Sequence, residues 1–237
     1  MKTAALAIIP ARGGSKRIPR KNVKEMFGKP LIVYSIEAAK QSKLFERVLV
    51  TTDCPEIASV AEAAGAEIPF LRDRNLADDI TPVSAATVDM ISKLDPSGEQ
   101  YGYICQLMAN CPLRDSGDIV DSYQQFIASQ PPAQISVVRF GCQNPWWAMQ
   151  RSPDFVLEPL FPKAMQSRSQ DLPDLFCPTG AIWWAQAHVL RRSGTFHVPH
   201  RTGWEISWEH GIDIDTDADW RMANLLMGLD TVNGTTA

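Results

Sequence analysis

Ala4-Ala5-Leu6-Ala7-Ile8-Ile9-Pro10-Ala11-Arg12-Gly13-Gly14-Ser15-Lys16-Arg17-Ile18-Pro19-Arg20-Lys21-Asn22 reads as a short strand that delivers a glycine-rich basic loop. The apolar run from Ala4 to Ile9 predicts a buried strand. Gly13 and Gly14 then let the backbone turn tightly and approach a ligand with no Cβ atoms in the way. Arg12, Lys16, Arg17, Arg20 and Lys21 put five cations within ten residues. Exposed backbone N–H groups beside cations are how a loop holds a polyphosphate. A solvated basic loop would look the same from composition alone. Neither the dinucleotide fingerprint G-x-G-x-x-G nor the Walker pattern G-x-x-x-x-G-K-[ST] occurs here, so any phosphate loop is of another kind.

Outward from this loop the pattern alternates. Helical periodicity runs over 31–43, with Pro30 tolerated in the first turn. A β-branched run over 47–52 predicts a strand closing on Asp53. A helix over 55–64 is stopped by Gly65, and 67–71 reads as a third strand. Helices over 82–94 and 117–129 and strands over 101–107 and 134–140 follow, with a loop at 95–98. Strands alternating with helices indicate a parallel sheet with helices on both faces. Ligands bind such sheets at the C-terminal strand ends. The basic loop, Asp53 and Gln106 all fall there. The rhythm breaks over 144–178, a stretch with several prolines and the bulky run Pro145-Trp146-Trp147. A break of that length in a compact domain is usually functional or an interface. A strand at 180–184, a short helix at 186–192, a last strand at 211–215 and a helix at 217–229 complete the pattern. Thr216 and Asp219 stand in capping-box positions, and 230–237 reads as a frayed tail.

Composition narrows the classes. The 237 residues, 45% hydrophobic and 21% charged, are ordinary globular material. A formal net charge of -4, with the basic residues gathered in one loop, argues against a nucleic-acid partner. Five cysteines without CxxC spacing suit free thiols in a reducing compartment. The N-terminal apolar run is short and leads straight into the loop, unlike a signal peptide. No stretch approaches the roughly 18–20 apolar residues of a membrane span. The expectation is a soluble, cytoplasmic protein with no membrane partner.

A second signal is His210-Gly211-Ile212-Asp213-Ile214-Asp215-Thr216. In a strand, positions two apart share a face, so Asp213 and Asp215 would project together while Ile212 and Ile214 pack opposite. Two adjacent carboxylates are tolerable where a hard cation such as Mg²⁺ sits against them. A solvent-facing strand end with a helix N-cap fits the same residues.

The loop Ala11-Arg12-Gly13-Gly14-Ser15-Lys16 with Lys21-Asn22 resembles the N-terminal signature of the CMP-sialic acid synthetase family. These cytidylyltransferases activate nine-carbon 2-keto acid sugars. The Ile212-Asp213-Ile214-Asp215-Thr216 element is similar to that family's C-terminal metal signature. Three further stretches resemble family segments: Phe70-Leu71-Arg72 with Leu76-Ala77-Asp78-Asp79-Ile80-Thr81, at the cytosine and ribose; Gln106 with Cys111-Pro112-Leu113-Arg114, spelled Ser-Pro-Leu-Arg in the family; and Arg168-Ser169-Gln170-Asp171-Leu172-Pro173, whose arginine reaches the acidic sugar.

The resemblance implies one domain over 1–237, a three-layer αβα fold with a mostly parallel twisted sheet, Rossmann-like, of the nucleotide-diphospho-sugar transferase type. The segment at about 143–178 would serve as a dimerisation insertion, giving a homodimer. It implies Arg12, Lys21, Asp213 and Asp215 as catalytic residues. The substrate set would be Arg12, Gly13, Gly14, Ser15, Lys16, Lys21, Asn22, Arg72, Thr81, Gln106, Arg168, Gln170 and Trp183. Asp213 and Asp215 would hold Mg²⁺, with CTP and an acidic nine-carbon sugar as substrates. Departures surround the sugar: Leu107-Met108-Ala109-Asn110 replaces a Pro-Thr pair, Thr179 a frequent asparagine, Trp147 a sugar-facing cation and Trp183 a tyrosine. The spelling at 168–172 leans toward enzymes that activate pseudaminic acid. Two other classes stay open: a sugar-1-phosphate nucleotidylyltransferase using another nucleotide, and a non-catalytic nucleotide-binding protein.

Overall fold

The computed structural model describes residues 4–77, 80–141 and 143–232. Asp78 and Asp79 of the expected cytosine segment, Cys142, and residues 233–237 of the tail lie outside the described residues. The first half comprises β1 (Ala5–Pro10), a hairpin of β2 (Glu25–Met26) and β3 (Lys29–Pro30), α1 (Leu31–Gln41), β4 (Phe45–Thr51), α2 (Pro55–Ala63), α3 (Val83–Leu94) and β5 (Tyr103–Gln106). Then come α4 (Ser116–Ser129), β6 (Ala133–Arg139), a hairpin of β7 (Met149–Arg151) and β8 (Leu157–Pro159), β9 (Phe176–Gln186), α5 (Ala187–Ser193), β10 (Thr202–Glu205) and α6 (Asp217–Val232).

Six strands form one sheet in the order β10-β6-β9-β5-β1-β4. β1 pairs in parallel with β4 and β5, and β10 with β6, while β9 alone runs against its neighbours. Every residue of β1 is buried, as a strand covered on both faces must be. Its alternate side chains divide the core. Ala5, Ala7 and Ile9 pack with Ile32 and Ile36 of α1, Ile57 of α2 and Phe126 of α4. Leu6 and Ile8 pack with Met90 and Ile91 of α3 and Leu190 of α5. The expected three layers, with a mostly parallel sheet between helices, are what these two clusters build. Each fully buried Leu or Ile side chain contributes about 1.5–3 kcal/mol relative to exposure.

A third cluster matters more for function. Ile18 of the basic loop, Leu31, Leu113, Ile214 and Ala223 of α6 pack together. The basic loop and the Asp213–Asp215 segment therefore share one apolar anchor. Asp115 and Asp118 close a reciprocal capping box at the start of α4, and Thr216 with Asp219 does the same for α6.

Two expected strands do not form. Over 67–71 only Glu67 bridges, to Leu49; Pro69 has no N–H for a ladder, and the chain turns so that Arg72 donates its N–H to Thr52 at 2.8 Å. Residues 211–215 join no strand: Gly211 closes a turn by donating to the Ser207 carbonyl, and Ile214 donates to the Asn110 carbonyl at 2.9 Å. The sheet edge belongs instead to β10. The irregular segment holds the three-residue hairpin strands β7 and β8 and short turns, and its last three residues open β9. Among the described residues no helix is long and apolar enough to cross a membrane.

Candidate active site

The C-terminal ends of β1 and β4 place the basic loop. Ala11 continues from β1 by donating its N–H to Thr51 at 3.0 Å. Gly13 donates its N–H to Asp53 Oδ1 at 2.9 Å, and a Cβ there would lie 2.9 Å from Cys54 Cβ. Gly13 therefore permits a close approach that a side chain would block. Asn22, buried, holds the loop closed by donating to the Arg12 carbonyl at 3.0 Å.

The loop faces a cavity of about 270 Å³. Of the residues singled out from sequence, Arg12, Ser15, Lys16, Lys21, Asn22, Arg72, Thr81 and Asp215 line it, joined by Arg17, Met108 and Asn110. Arg72 is 6% exposed and keeps its Nη2 3.6 Å from Asp53 Oδ1, while its Nε and Nη2 have no hydrogen-bond partner. Burial pulls its guanidinium below the ordinary arginine range, and Asp53 partly restores it. A buried, under-bonded guanidinium on a cavity wall is suited to an acceptor-rich ligand.

Asp213 and Asp215 occupy different surroundings, although they are two apart. Asp215 reaches the cavity, where Lys21 Nζ lies 3.1 Å from Oδ1 and Arg17 Nη2 lies 2.9 Å from Oδ2. Asp213 points into the fold. Its Oδ1 accepts the Cys111 thiol at 2.7 Å and its Oδ2 accepts the Gly180 N–H at 2.9 Å. Burial pushes the Asp213 carboxyl above the usual carboxylate range and Asp215 adds to this; Cys111, Gly180 and Lys21 pull it back. Burial, with Asp213 beside it, drives the Cys111 thiol well up, so it stays protonated and donates. The two carboxylates therefore do not project side by side as a strand would have them: Asp215 lines the cavity and Asp213 does not. Both remain hard oxygen donors of the type a divalent cation such as Mg²⁺ takes, and each Asp213 oxygen keeps a lone pair beyond its one hydrogen bond.

Besides Gly13 and Asp213, five candidates are not among the residues lining this cavity. Gln106 is fully buried and accepts from Thr87 Oγ1 at 2.6 Å. Trp183 donates its indole N–H to the Thr179 carbonyl at 2.6 Å and packs on Phe196 and His197. Arg168, with a side chain 73% exposed, pairs with Asp171 at 2.8 and 3.1 Å, and Gln170 is exposed beside it. Gly14 lies in the loop with open space around its Cα.

Sequence reasoning overlooked the residues that hold the acidic segment. Asn110 Nδ2 donates to the Ile214 carbonyl at 3.2 Å, and His210 Nδ1 lies 2.6 Å from Asp118 Oδ2 at the cap of α4. With Cys111 and Gly180 these residues tie 210–215 to the β5–α4 loop and to β9. Nothing local marks them, because their partners lie far away in the chain.

A family model described as cytidylyltransferase matches residues 6–143. The chain is 34% identical over 223 residues to a pseudaminic acid cytidylyltransferase of Campylobacter jejuni, covering 93% of this chain and 95% of that protein. It is 30% identical to a CMP-N,N'-diacetyllegionaminic acid synthase of Legionella pneumophila, covering 94% and 96%. The solved structure of a CMP:2-keto-3-deoxy-manno-octonic acid synthetase complexed with CTP superposes with a TM-score of 0.72 at 18% identity, over 96% of this chain and 99% of that one. That last likeness concerns the fold alone. With a cation-lined cavity at the strand ends and relatives matched along nearly the whole chain, this protein belongs to the cytidylyltransferase family and is a nucleotidyltransferase.

Proposed function

We propose that the enzyme transfers CMP from CTP to the anomeric hydroxyl of a nine-carbon 2-keto acid sugar of the N-acylneuraminate type and releases pyrophosphate. The observation that carries this reading is the cavity where Arg12, Lys16, Lys21 and Arg72 face Asp215. Four cations offer charge-assisted bonds to a triphosphate. In-line attack on the α-phosphorus needs alignment and neutralised charge more than a strong base. Arg12 and Lys21 hold the phosphates, with Ser15 and the amides of Gly13 and Gly14 beside them, and Arg72 and Thr81 meet the nucleoside. Asp213 and Asp215 would hold a divalent cation, which supplies charge neutralisation and lowers the pKa of a bound hydroxyl.

A second acceptor class, pseudaminic or legionaminic acid, is favoured by the names of the relatives above, and the spelling Arg168-Ser169-Gln170-Asp171-Leu172 leans toward pseudaminic acid. Arg168 would exchange Asp171 for the acceptor's carboxylate, which every candidate acceptor carries. The whole chain acts as one domain in the cytoplasm. The segment 143–178 is proposed as a homodimer contact, because Phe155, Leu157, Leu160 and Phe161 are exposed on it and contiguous apolar surface marks interfaces. Light scattering that returns a monomer mass would remove the dimer.

The test is pyrophosphate release with CTP, Mg²⁺ and a panel of sialic, legionaminic and pseudaminic acids. Release with one acid assigns the acceptor. No release with any of them, from folded protein, overturns the reading. Asp215→Asn is expected to keep the fold and lose most Mg²⁺-dependent turnover.

A further inference from the structure

Asp213 is gripped at both carboxylate oxygens by donors from two other elements: the Cys111 thiol of the β5–α4 loop and the Gly180 N–H of β9. We propose that Cys111 is a positioning residue of the nucleotidyl transfer, its S–H setting the rotation of the Asp213 carboxylate. The proposal rests on the reading of Asp213 as a cation ligand.

The terminal torsion of an aspartate is broad and roughly two-fold, so one hydrogen bond leaves the carboxylate plane free to swing. Donors on separate oxygens fix it, and the remaining lone pairs then keep one direction. Both donors are themselves immobile. Cys111 is fully buried, and the reciprocal bonds between Asn110 and Ile214 clamp the two segments beside the thiol. Gly180 lies in the central strand, and a Cβ there would lie 2.8 Å from Asp213 Oδ1, so the space around the carboxylate admits this arrangement closely. A thiol is a weak donor; its contribution is direction more than energy. Partners that orient a ligating carboxylate typically change metal affinity 10- to 100-fold when removed.

The experiment compares Cys111→Val, which fills the volume without a donor, and Cys111→Ser, which keeps one. Mn²⁺ binding is followed by electron paramagnetic resonance in the presence of CTP, alongside thermal melting. The expected result is about tenfold weaker Mn²⁺ binding in Cys111→Val, the low end for such partners, with wild-type affinity restored in Cys111→Ser. A folded Cys111→Val that binds Mn²⁺ like wild type overturns the role of Cys111. A wild type that binds no Mn²⁺ overturns the ligand reading of Asp213 and this role with it. A second readout needs neither metal nor the valine variant: the infrared S–H band isolated by subtracting Cys111→Ser from wild type. It is expected at lowered frequency in wild type and to move up in Asp213→Ala. An S–H band that Asp213→Ala leaves in place overturns the proposal, even if Cys111→Val fails to fold.

Discussion

Lys21 Nζ lies 3.1 Å from Asp215 Oδ1 and 2.5 Å from the Ile214 carbonyl oxygen, although 194 residues separate Lys21 from Asp215. The contact joins the first signature of the chain to the last. With Arg17 on the other oxygen, the carboxylate that faces the cavity is balanced by the loop's own cations. A triphosphate in the cavity would compete for the same two cations. Lys21 thus ties two segments together, beside the phosphate contact proposed for it.

Lys21→Ala is expected to lower kcat/KM for CTP roughly 10- to 100-fold, the worth of about 1.5–3 kcal/mol for a charge-assisted bond. Its pairing with the partly exposed Asp215 contributes at most about 1 kcal/mol to folding, so the melting temperature should fall only slightly. Steady-state kinetics and calorimetry on one preparation check both. An unchanged CTP dependence would leave Lys21 only its part in tying the loop to Ile214 and Asp215.

Gly180→Ala places a methyl 2.7 Å from Met108 Cγ and 2.8 Å from Asp213 Oδ1. Both contacts are too short for a real Cβ, so Met108 and the Asp213 carboxylate must both give way or the strand must shift. A small displacement in a site of this kind costs up to about 100-fold in rate. The expected outcome is a large fall in kcat, with the circular dichroism spectrum of wild type. Full activity would mean that the shift leaves the working position of the carboxylate intact.

Asp95 tests the pH dependence of stability. Burial alone would raise its carboxyl, but the backbone N–H groups of Gln100, Glu99 and Tyr101 and the Ser97 hydroxyl outweigh it, and the group sits below the ordinary value. A depressed carboxyl stabilises the fold above its unfolded value of about 3.9, and this is lost as pH falls through the native value. Asp95→Asn should cost about 2 kcal/mol at neutral pH. Urea unfolding should show the gap to wild type closing below about pH 4. A gap of constant size across that window would contradict the assignment.

Arg168→Lys separates surface pairing from substrate reading. The bidentate Arg168–Asp171 pair is exposed and contributes little to stability. A lysine cannot reproduce the planar fork on a carboxylate. If Arg168 reads the acceptor, the KM for the sugar should rise about tenfold or more while that for CTP stays. If both constants stay, the acid is held elsewhere.

What the chain's residues determine by themselves is what local pattern and residue type can encode. The unbroken apolar run of β1, the helical periodicity of α1 and the capping pair Thr216–Asp219 depend on neighbours a few positions away, so each was legible from its own stretch. The basic loop and the paired aspartates were legible as chemistry, because cations, glycines and carboxylates announce a phosphate or cation partner wherever they sit. The tertiary structure alone decided that β9 runs against its neighbours, that Thr202–Glu205 takes the sheet edge and that 211–215 stays out of the ladder. Strand direction and pairing are properties of hydrogen bonds between distant segments, which no single window contains. The same reason hid the partner of Cys111: the motif at 111–114 marks the residue, and only the fold sets its thiol against Asp213, 102 residues away.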